Sequence, residues 1–513
     1  MRSHEAGARH GVSDTPAWLM VPDDVNALMT ELWPTTAHKS ADGVLQVGGL
    51  SVTEIAQQVG TPAFVLDELD FRTRARAFRQ AFTAAFAPLG GAEVGYAGKA
   101  LLCSGIVRWI DQDGLGLDVC SEGELTTALR AGMDAGRMTL HGNNKSEATI
   151  EQALRAGIGR IALDSFHEIG QIERIAARLG VRAPVWIRVR VGVEAHTHDY
   201  IATAHEDQKF GISLHDGEAM AAAKAVLACD ELELRGLHFH IGSQIFDSAG
   251  LSEATRRLFG LHAEIGRQTG VWLPDMGLGG GFGVAYTTGH DPLGPVELAA
   301  QMANGVGRLS RELDVAPPRI FVEPGRAIAG PAAFTLYTVG PVKPVALDGG
   351  FTRHYVAVDG GMSDNIRTAL YGADYSATLA SRRSDAPPVL SRVVGSHCES
   401  GDIVVSDEYL PADISPGDLL AVPVTGAYCY PLASNYNQML RPPVVAVRDG
   451  AITPLLRRET QADRASLDCG PPPTAADLAE RARAELPPAD QAGWLAEIQT
   501  RRDQPDQSKS PHA

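Results

Sequence analysis

A lysine at the mouth of a buried strand has work to do only if its amine meets an electrophile. Lys99 stands in that position, in Tyr96-Ala97-Gly98-Lys99-Ala100, directly after an apolar run. Lysine is strongly hydrated and rarely fully buried. In a partly dry pocket its amine loses basicity and can form a Schiff base with an aldehyde. Taken alone, Lys99 reads as a solvated lysine at a strand end. Further motifs change that reading. Gly279-Gly280-Gly281-Phe282-Gly283 lets backbone N–H groups approach a phosphate closely, although a glycine-rich turn is more often only a turn. His240, in Phe239-His240-Ile241-Gly242-Ser243-Gln244, is either a hydrogen-bonded structural residue or a face for an aromatic ring, with Ser243 donating to a phosphate. Glu323, in Glu323-Pro324-Gly325-Arg326, either pairs with Arg326 or keeps a pyridine nitrogen protonated.

Together these pieces describe pyridoxal 5′-phosphate: an amine for the aldehyde, glycines for the phosphate, an aromatic face and a carboxylate for the ring nitrogen. A protonated pyridine is a strong electron sink, which suits a decarboxylase. A racemase on such a scaffold is expected to place a cation at that nitrogen. Downstream, Cys398 beside Glu399 is either a small buried apolar residue or a proton donor and acceptor. Met362–Arg367 with Tyr371 offers a guanidinium and a phenol suited to a carboxylate, and Tyr428 a phenol for a phosphate oxygen.

The elements that must position these groups follow a regular rhythm. Short apolar runs at Val94–Ala97, Gly116–Val119, Met138–Leu140, Arg160–Leu163, Val185–Val191, Leu234–His240, Met276–Leu278 and Ile320–Val322 alternate with helical stretches. Gly132, Gly157 and Gly180 stand just past helix ends, where a left-handed backbone favours glycine. Strands alternating with helices imply parallel βαβ units, and about eight of them imply a (β/α)8 TIM-type barrel. A doubly wound open sheet is the alternative. Lys99 follows the first run, His240 ends the sixth, the glycine run follows the seventh and Glu323 follows the eighth, so a closed barrel gathers all four at one mouth.

After Pro324, strand candidates at Phe334–Val339, His354–Val358, Ile403–Val405, Leu419–Val424 and Val444–Val447 predict a second, mostly antiparallel β-domain. The expected organisation is an irregular arm over 1–41, strands over 42–68 joining the β-domain, the barrel over 69–330, the β-domain over 331–465 and a tail over 466–513 with one helix near Ala475–Leu486. A formal charge of −17 argues against nucleic acid or an anionic membrane as a main partner. Six cysteines without CxxC spacing, no apolar leader and no span long enough for a bilayer point to the cytoplasm. His196, His198 and His205 lack a supporting ligand geometry, so no metal is expected.

These stretches resemble the diaminopimelate decarboxylase family, within the alanine-racemase-like (fold type III) pyridoxal-phosphate decarboxylases. The similarity runs from about Trp33 to Ala465. It includes Trp33-Pro34, the Lys99 segment, Leu117–Glu124, His141-Gly142-Asn143-Asn144-Lys145, His240–Gln244, Gly279–Gly283, Glu323–Arg326, Cys398-Glu399-Ser400 and Gly426-Ala427-Tyr428. The resemblance implies decarboxylation of meso-2,6-diaminopimelate to L-lysine, by a homodimer whose active sites are shared across the interface. It implies Lys99, Cys398 and His240 as catalytic residues, with Lys99 carrying the cofactor and Cys398, with Glu399, contributed by the partner subunit. The cofactor set is Lys99, Asp118, Arg188, His240, Ser243, Gly280, Gly281, Gly283, Glu323, Gly325, Arg326 and Tyr428. The substrate set is Arg326, Arg367, Tyr371, Glu399 and Tyr428. Two segments depart from the family pattern, Ile201–Ala204 and Gln208–Gly211, and both are expected to lie away from the chemistry; Cys429-Tyr430-Pro431 departs as well. A decarboxylase of basic amino acids is the rival, disfavoured because Arg367 would repel a distal amine. A non-catalytic homologue that binds the cofactor or a partner is a further alternative.

Overall fold

The computed structural model describes residues 15–193, 208–246, 248–347, 350, 352–470 and 474–485. Two compact units divide the chain, Met1–Glu459 and Thr460–Ala513. The second contains a short helix, Gln461–Ala465, with a Thr460/Asp463 capping box, and a helix at Ala475–Glu485.

In the first unit eight parallel strands close on themselves: Ala92–Ala97, Gly116–Val119, Met138–Leu140, Arg160–Leu163, Ala183–Arg190, Leu232–His238, Asp275–Gly280 and Arg319–Glu323. The eighth returns to the first, with Ile320 opposite Ala92 and Val322 opposite Val94. Closure excludes the open doubly wound sheet and leaves no edge strand in the barrel. A two-residue strand, Ile212–Ser213, adds to the end of the fifth. The sixth strand stops at His238, so His240 lies two residues beyond it rather than ending it.

The helices form where the sequence places an apolar stripe between a polar cap and a glycine. Ser121 and Ser146 cap the helices Glu122–Ala131 and Glu147–Ala156 through their hydroxyls, and Gly132 and Gly157 end them in the left-handed conformation. The long helix Glu68–Phe86 buries Phe71, Phe78, Phe82 and Phe86, spaced seven, four and four apart along one face. Burying each ring contributes about 2–3 kcal/mol. Phe282, inside the glycine run, stacks on Phe78 and Phe82 at 6.0 and 6.3 Å, so this aromatic column anchors the glycine turn.

The second sheet runs in the order Ile403–Pro411, Pro388–Val394, Thr352–Val358, Ala333–Ala346, Ala63–Asp67, Val444–Arg448 and Ala451–Leu456, with Leu419–Pro423 also paired to Ala333–Ala346. Most pairs are antiparallel; Thr352–Val358 with Pro388–Val394 and Ala63–Asp67 with Val444–Arg448 are parallel. Leu45–Val47, expected in this sheet, pairs instead in a small sheet with His38–Lys39 and Leu50–Ser51. The strand Ala333–Ala346 leaves the barrel through the short helix Arg326–Ala329, so Glu323 and Arg326 sit at the junction of barrel and sheet. No helix among the described residues is long and apolar enough to cross a membrane.

Candidate active site

A cavity of about 300 Å³ opens at the C-terminal mouth of the barrel. Lys99, Asp118, Arg188, His240 and Glu323 line it, from the first, second, fifth, sixth and eighth strands or the turns after them. Lys99 sits in a single 3-10 turn, Gly98–Ala100, with its side chain exposed at the cavity. A Cβ on Gly98 would fall 2.8 Å from the Asp118 carbonyl oxygen, so the turn presses against the second strand.

Two histidines that the sequence motifs do not single out stand beside Glu323. His238 Nε2 lies 2.9 Å from Glu323 Oε1, and His141 Nε2 lies 3.6 Å from the same oxygen. Burial by itself would raise the Glu323 carboxyl, but His238 and His141 outweigh it and hold that carboxyl below its ordinary value. Burial and the charge of Glu323 push Asp118 well up. The negative charge therefore resides on Glu323. Burial lowers both imidazoles, His141 to about 4. His238 and His240 are two residues apart, the spacing that points side chains to one face of a strand, and that spacing was the available signal for His238. His141 belongs to the motif His141–Lys145, in which nothing local marks it for this place. The same motif contains Lys145, whose buried amine donates to Gly142 O at 2.6 Å, Ala162 O at 2.7 Å and Glu168 Oε2 at 2.9 Å and so fixes the His141 loop.

His240 Nδ1 accepts the Gly280 N–H at 3.3 Å. Burial, with Lys99 and Arg188 nearby, pushes its imidazole well below the usual range, so the ring is neutral and its proton sits on Nε2. The glycines serve close backbone approach: a Cβ on Gly280 would fall 2.0 Å from Glu323 O, and one on Gly281 2.1 Å from Gly242 O. Gly281 is also left-handed, with φ 89°. Gly325 and Gly283 are less tightly enclosed, a Cβ on each falling 2.9 Å from the Ala97 side chain and 2.8 Å from the Phe246 ring. Arg188 faces Asp164 at 4.0 Å and lies over the Phe210 ring at 4.2 Å. Lys209 and Phe210 line the cavity, so Gln208–Gly211 is part of the site, contrary to expectation. Ile201–Ala204 and the histidines at 196, 198 and 205 lie outside the described residues.

A second cluster, made of residues that do not line this cavity, gathers around Ser243 and Arg326. Ser243 Oγ accepts from Arg326 Nε at 3.2 Å and Nη2 at 3.0 Å. Arg326 also donates to the Tyr286 hydroxyl and lies 4.5 Å from the Tyr428 ring. Among the described residues it makes no ion pair with Glu323. Arg367, buried, stands over the other side of the cluster, 4.8 Å from the Tyr286 ring, and donates to the Tyr375 hydroxyl. Tyr286 and Tyr375 had no signal in the sequence, because neither stands in a motif. Tyr428, in a left-handed conformation, donates its N–H to Ala100 O at 2.8 Å, which ties it to the Lys99 turn. Tyr371 is half-buried at the end of the helix Arg367–Tyr371 and does not line the cavity. Cys398 and Glu399 are exposed and do not line it either. Their loop is rigidly braced: Asp402 accepts the His397 and Met362 N–H groups at 2.7 and 2.6 Å, and Asn437 accepts the Cys398 N–H at 3.2 Å.

Glu323 Oε1, Asp118 Oδ2 and His141 Nε2 are buried with no aligned hydrogen-bond partner among the described residues. Such atoms are costly unless a ligand satisfies them. An N–H-bearing aromatic ring beside Lys99 is what this donor-poor floor fits, and pyridoxal 5′-phosphate is such a ring.

Residues 70–330 match the pyridoxal binding domain of the pyridoxal-dependent decarboxylases. The diaminopimelate decarboxylase of Mycobacterium leprae is 49% identical over 479 residues, covering 91% of this chain and 100% of the relative. That of Mycobacterium tuberculosis is 51% identical, covering 86% of this chain and 98% of the relative. Among solved structures, the diaminopimelate decarboxylase of M. jannaschii in complex with L-lysine has a TM-score of 0.79 at 29% identity, covering 86% of this chain and 99% of that one. The Helicobacter pylori enzyme complexed with L-lysine has a TM-score of 0.73 at 30% identity, covering 81% and 98%. A cofactor domain matched over residues 70–330, in a chain with relatives this similar over almost their whole length, leaves one conclusion: the chain belongs to the diaminopimelate decarboxylase family of pyridoxal-dependent decarboxylases.

Proposed function

We propose that this protein removes one carboxyl group of meso-2,6-diaminopimelate as CO2 and releases L-lysine, using pyridoxal 5′-phosphate held by Lys99. The observation that carries the reading is the shared cavity in which Lys99 meets a Glu323 carboxylate backed by His141 and His238. When bound, the cofactor supplies an aldehyde for an amine and a pyridinium that accepts the electrons freed as CO2 leaves. Glu323 keeps a negative charge where the ring nitrogen carries its proton. His240, neutral and fixed in its tautomer by the Gly280 N–H, offers a flat face. Ser243, Gly280, Gly281, Gly283 and Gly325 shape the phosphate end, and Asp118 and Arg188 close the walls.

At the substrate's remote end we assign Arg326, Arg367 and Tyr371, with Tyr428 between cofactor and substrate. A guanidinium is suited to the distal carboxylate of a diamino diacid and repels the bare ammonium of ornithine or lysine. Holding that end orients the reacting carbon, so its loss reduces turnover as well as affinity. Cys398 is assigned as the proton donor and Glu399 as a substrate contact, both across a homodimer interface. Their exposure on a braced loop, outside the cavity of their own chain, supports that arrangement.

The test is CO2 release from meso-diaminopimelate by the wild type, Lys99→Ala and Cys398→Ala. Lys99→Ala is expected to lose covalently held cofactor and activity. Cys398→Ala is expected to retain cofactor and turn over poorly. No CO2 from the wild type, or retention of covalent cofactor in Lys99→Ala, would overturn the assignment.

A further inference from the structure

The opposite mouth of the barrel holds a second cavity, of about 440 Å³. Arg137, Arg160, Arg235, Arg319 and Glu93 wall it. Arg160 and Arg319 open the fourth and eighth strands, Arg137 immediately precedes the third, and Glu93 is the second residue of the first. The cavity therefore lies at the N-terminal ends of the strands, away from Lys99 and the turns that follow the C-terminal ends. Bare backbone at Gly116, Gly136 and Gly159 lines part of the wall.

Three of the four guanidinium groups have acceptors. Arg137 donates to Asp111 at 2.7 Å and to the Leu115 carbonyl. Arg235 donates to Glu233 at 3.1 Å and Asp275 at 3.3 Å. Arg319 donates to Asp275 at 3.1 and 3.2 Å. Arg160 is different. It is only 5% exposed, yet none of its N–H groups has a hydrogen-bond acceptor among the described residues, and its Nε is completely enclosed. The nearest carboxylate, Glu93, is 3.6 Å from Nη2. Its guanidinium lies 3.9 Å from the Phe321 ring centre and 4.9 Å from that of Trp186. Aromatic rings stabilise the faces of the cation but cannot accept from N–H groups in its plane. A buried guanidinium left in that condition is costly, and a carboxylate or phosphate oxygen in its plane removes the cost with paired, charge-assisted hydrogen bonds.

We propose that this cavity is a binding site for a small oxyanion, carboxylate or phosphate, with Arg160 as its main donor and with Arg137, Arg235 and Arg319, each already paired with a carboxylate, offering further N–H groups from the wall. Nothing in the decarboxylation chemistry uses these residues.

Titration calorimetry on the holoenzyme tests this, because bound cofactor already fills the phosphate end of the active site. Inorganic phosphate and succinate are titrated separately into the wild type, Arg160→Met and Arg319→Gln. At least one anion is expected to bind saturably in the millimolar range or tighter, and whichever binds identifies the phosphate or carboxylate source. Each substitution is expected to weaken that binding about tenfold, the worth of one charge-assisted pair. Arg319 is 40% exposed in its side chain, so Arg319→Gln decides the matter if Arg160→Met does not fold. Weakening in either folded variant supports the site. Absence of saturable binding in the wild type, or binding unchanged in the folded variants, overturns it.

Discussion

His238 Nε2 lies 2.9 Å from Glu323 Oε1, although the two residues are held by different barrel strands and are separated by 85 positions in the chain. His238 is itself held by Trp186, stacked at 6.0 Å and 12°. The carboxylate at the base of the cofactor cavity thus has a fixed, almost fully buried neighbour that favours its ionised form.

Removing that charge should cost turnover far more than binding. Glu323→Gln keeps the shape and loses the anion, so kcat is expected to fall about 10²–10³-fold, with cofactor retained on Lys99. His238→Phe keeps the stack on Trp186 and removes the nitrogen; a smaller fall, about tenfold, is expected. Steady-state CO2 release with cofactor absorbance as the occupancy control measures both. Equal activity of Glu323→Gln and wild type would contradict the role given to the carboxylate.

Tyr286 joins Arg326 to Arg367, donating its ring to one and accepting from the other. Tyr286→Phe removes the hydroxyl and leaves the ring. The Michaelis constant for meso-diaminopimelate is expected to rise about tenfold, the cost of one hydrogen bond to a charged group. An unchanged constant would show that Arg326 is positioned by Ser243 alone.

If the active sites are shared, an inactive and a poorly active variant should rescue each other. Lys99→Ala and Cys398→Ala, unfolded together and refolded as a mixture, are expected to recover about a quarter of wild-type activity, since half the dimers are mixed and each mixed dimer has one intact site. No recovery from a mixture that demonstrably exchanges subunits would place both residues in one chain's site.

Acid should weaken the fold through a histidine far from the chemistry. Burial pushes His262 down to about 4. An unfolded histidine titrates near 6.5. The unfolded chain therefore binds more protons between those values, and the stability contributed by neutral His262 is complete above pH 6.5 and lost as pH falls towards 4. Between pH 7.5 and 5 that loss is about 2 kcal/mol. His262→Phe, which keeps the aromatic packing near Phe259 and Trp272, should reduce the acid shift of the denaturation midpoint. An identical shift in the variant would exclude this residue.

Gly280 tests how tightly the barrel closes around the site. A Cβ there would fall 2.0 Å from Glu323 O, a backbone atom that has no rotamer through which to escape. Gly280→Ala is expected to cost about 3 kcal/mol of stability and to lower cofactor occupancy. A normal denaturation midpoint with full occupancy would mean the two strands can separate.

The alternation of apolar runs, helices and glycine caps determined the barrel, because each period is local: two residues for a strand, 3.6 for a helix, one left-handed glycine for an end. Lys99, His240, the glycine run and Glu323 were legible for the same reason, since their residue types fall at the ends of recognisable strands. Closure then fixed which strands are neighbours, and only that contact brought His141, His238 and Glu323 together. Tyr286 and Tyr375 are ordinary loop residues until the second sheet folds against the barrel and two arginines meet them. Lys209 and Phe210 followed the same logic, their distance from the site in sequence concealing a place on its wall. What the order of residues could state was the identity of the chemical groups; which of them share a buried volume, and so shift one another's charge, depended on long-range packing that no local pattern encodes.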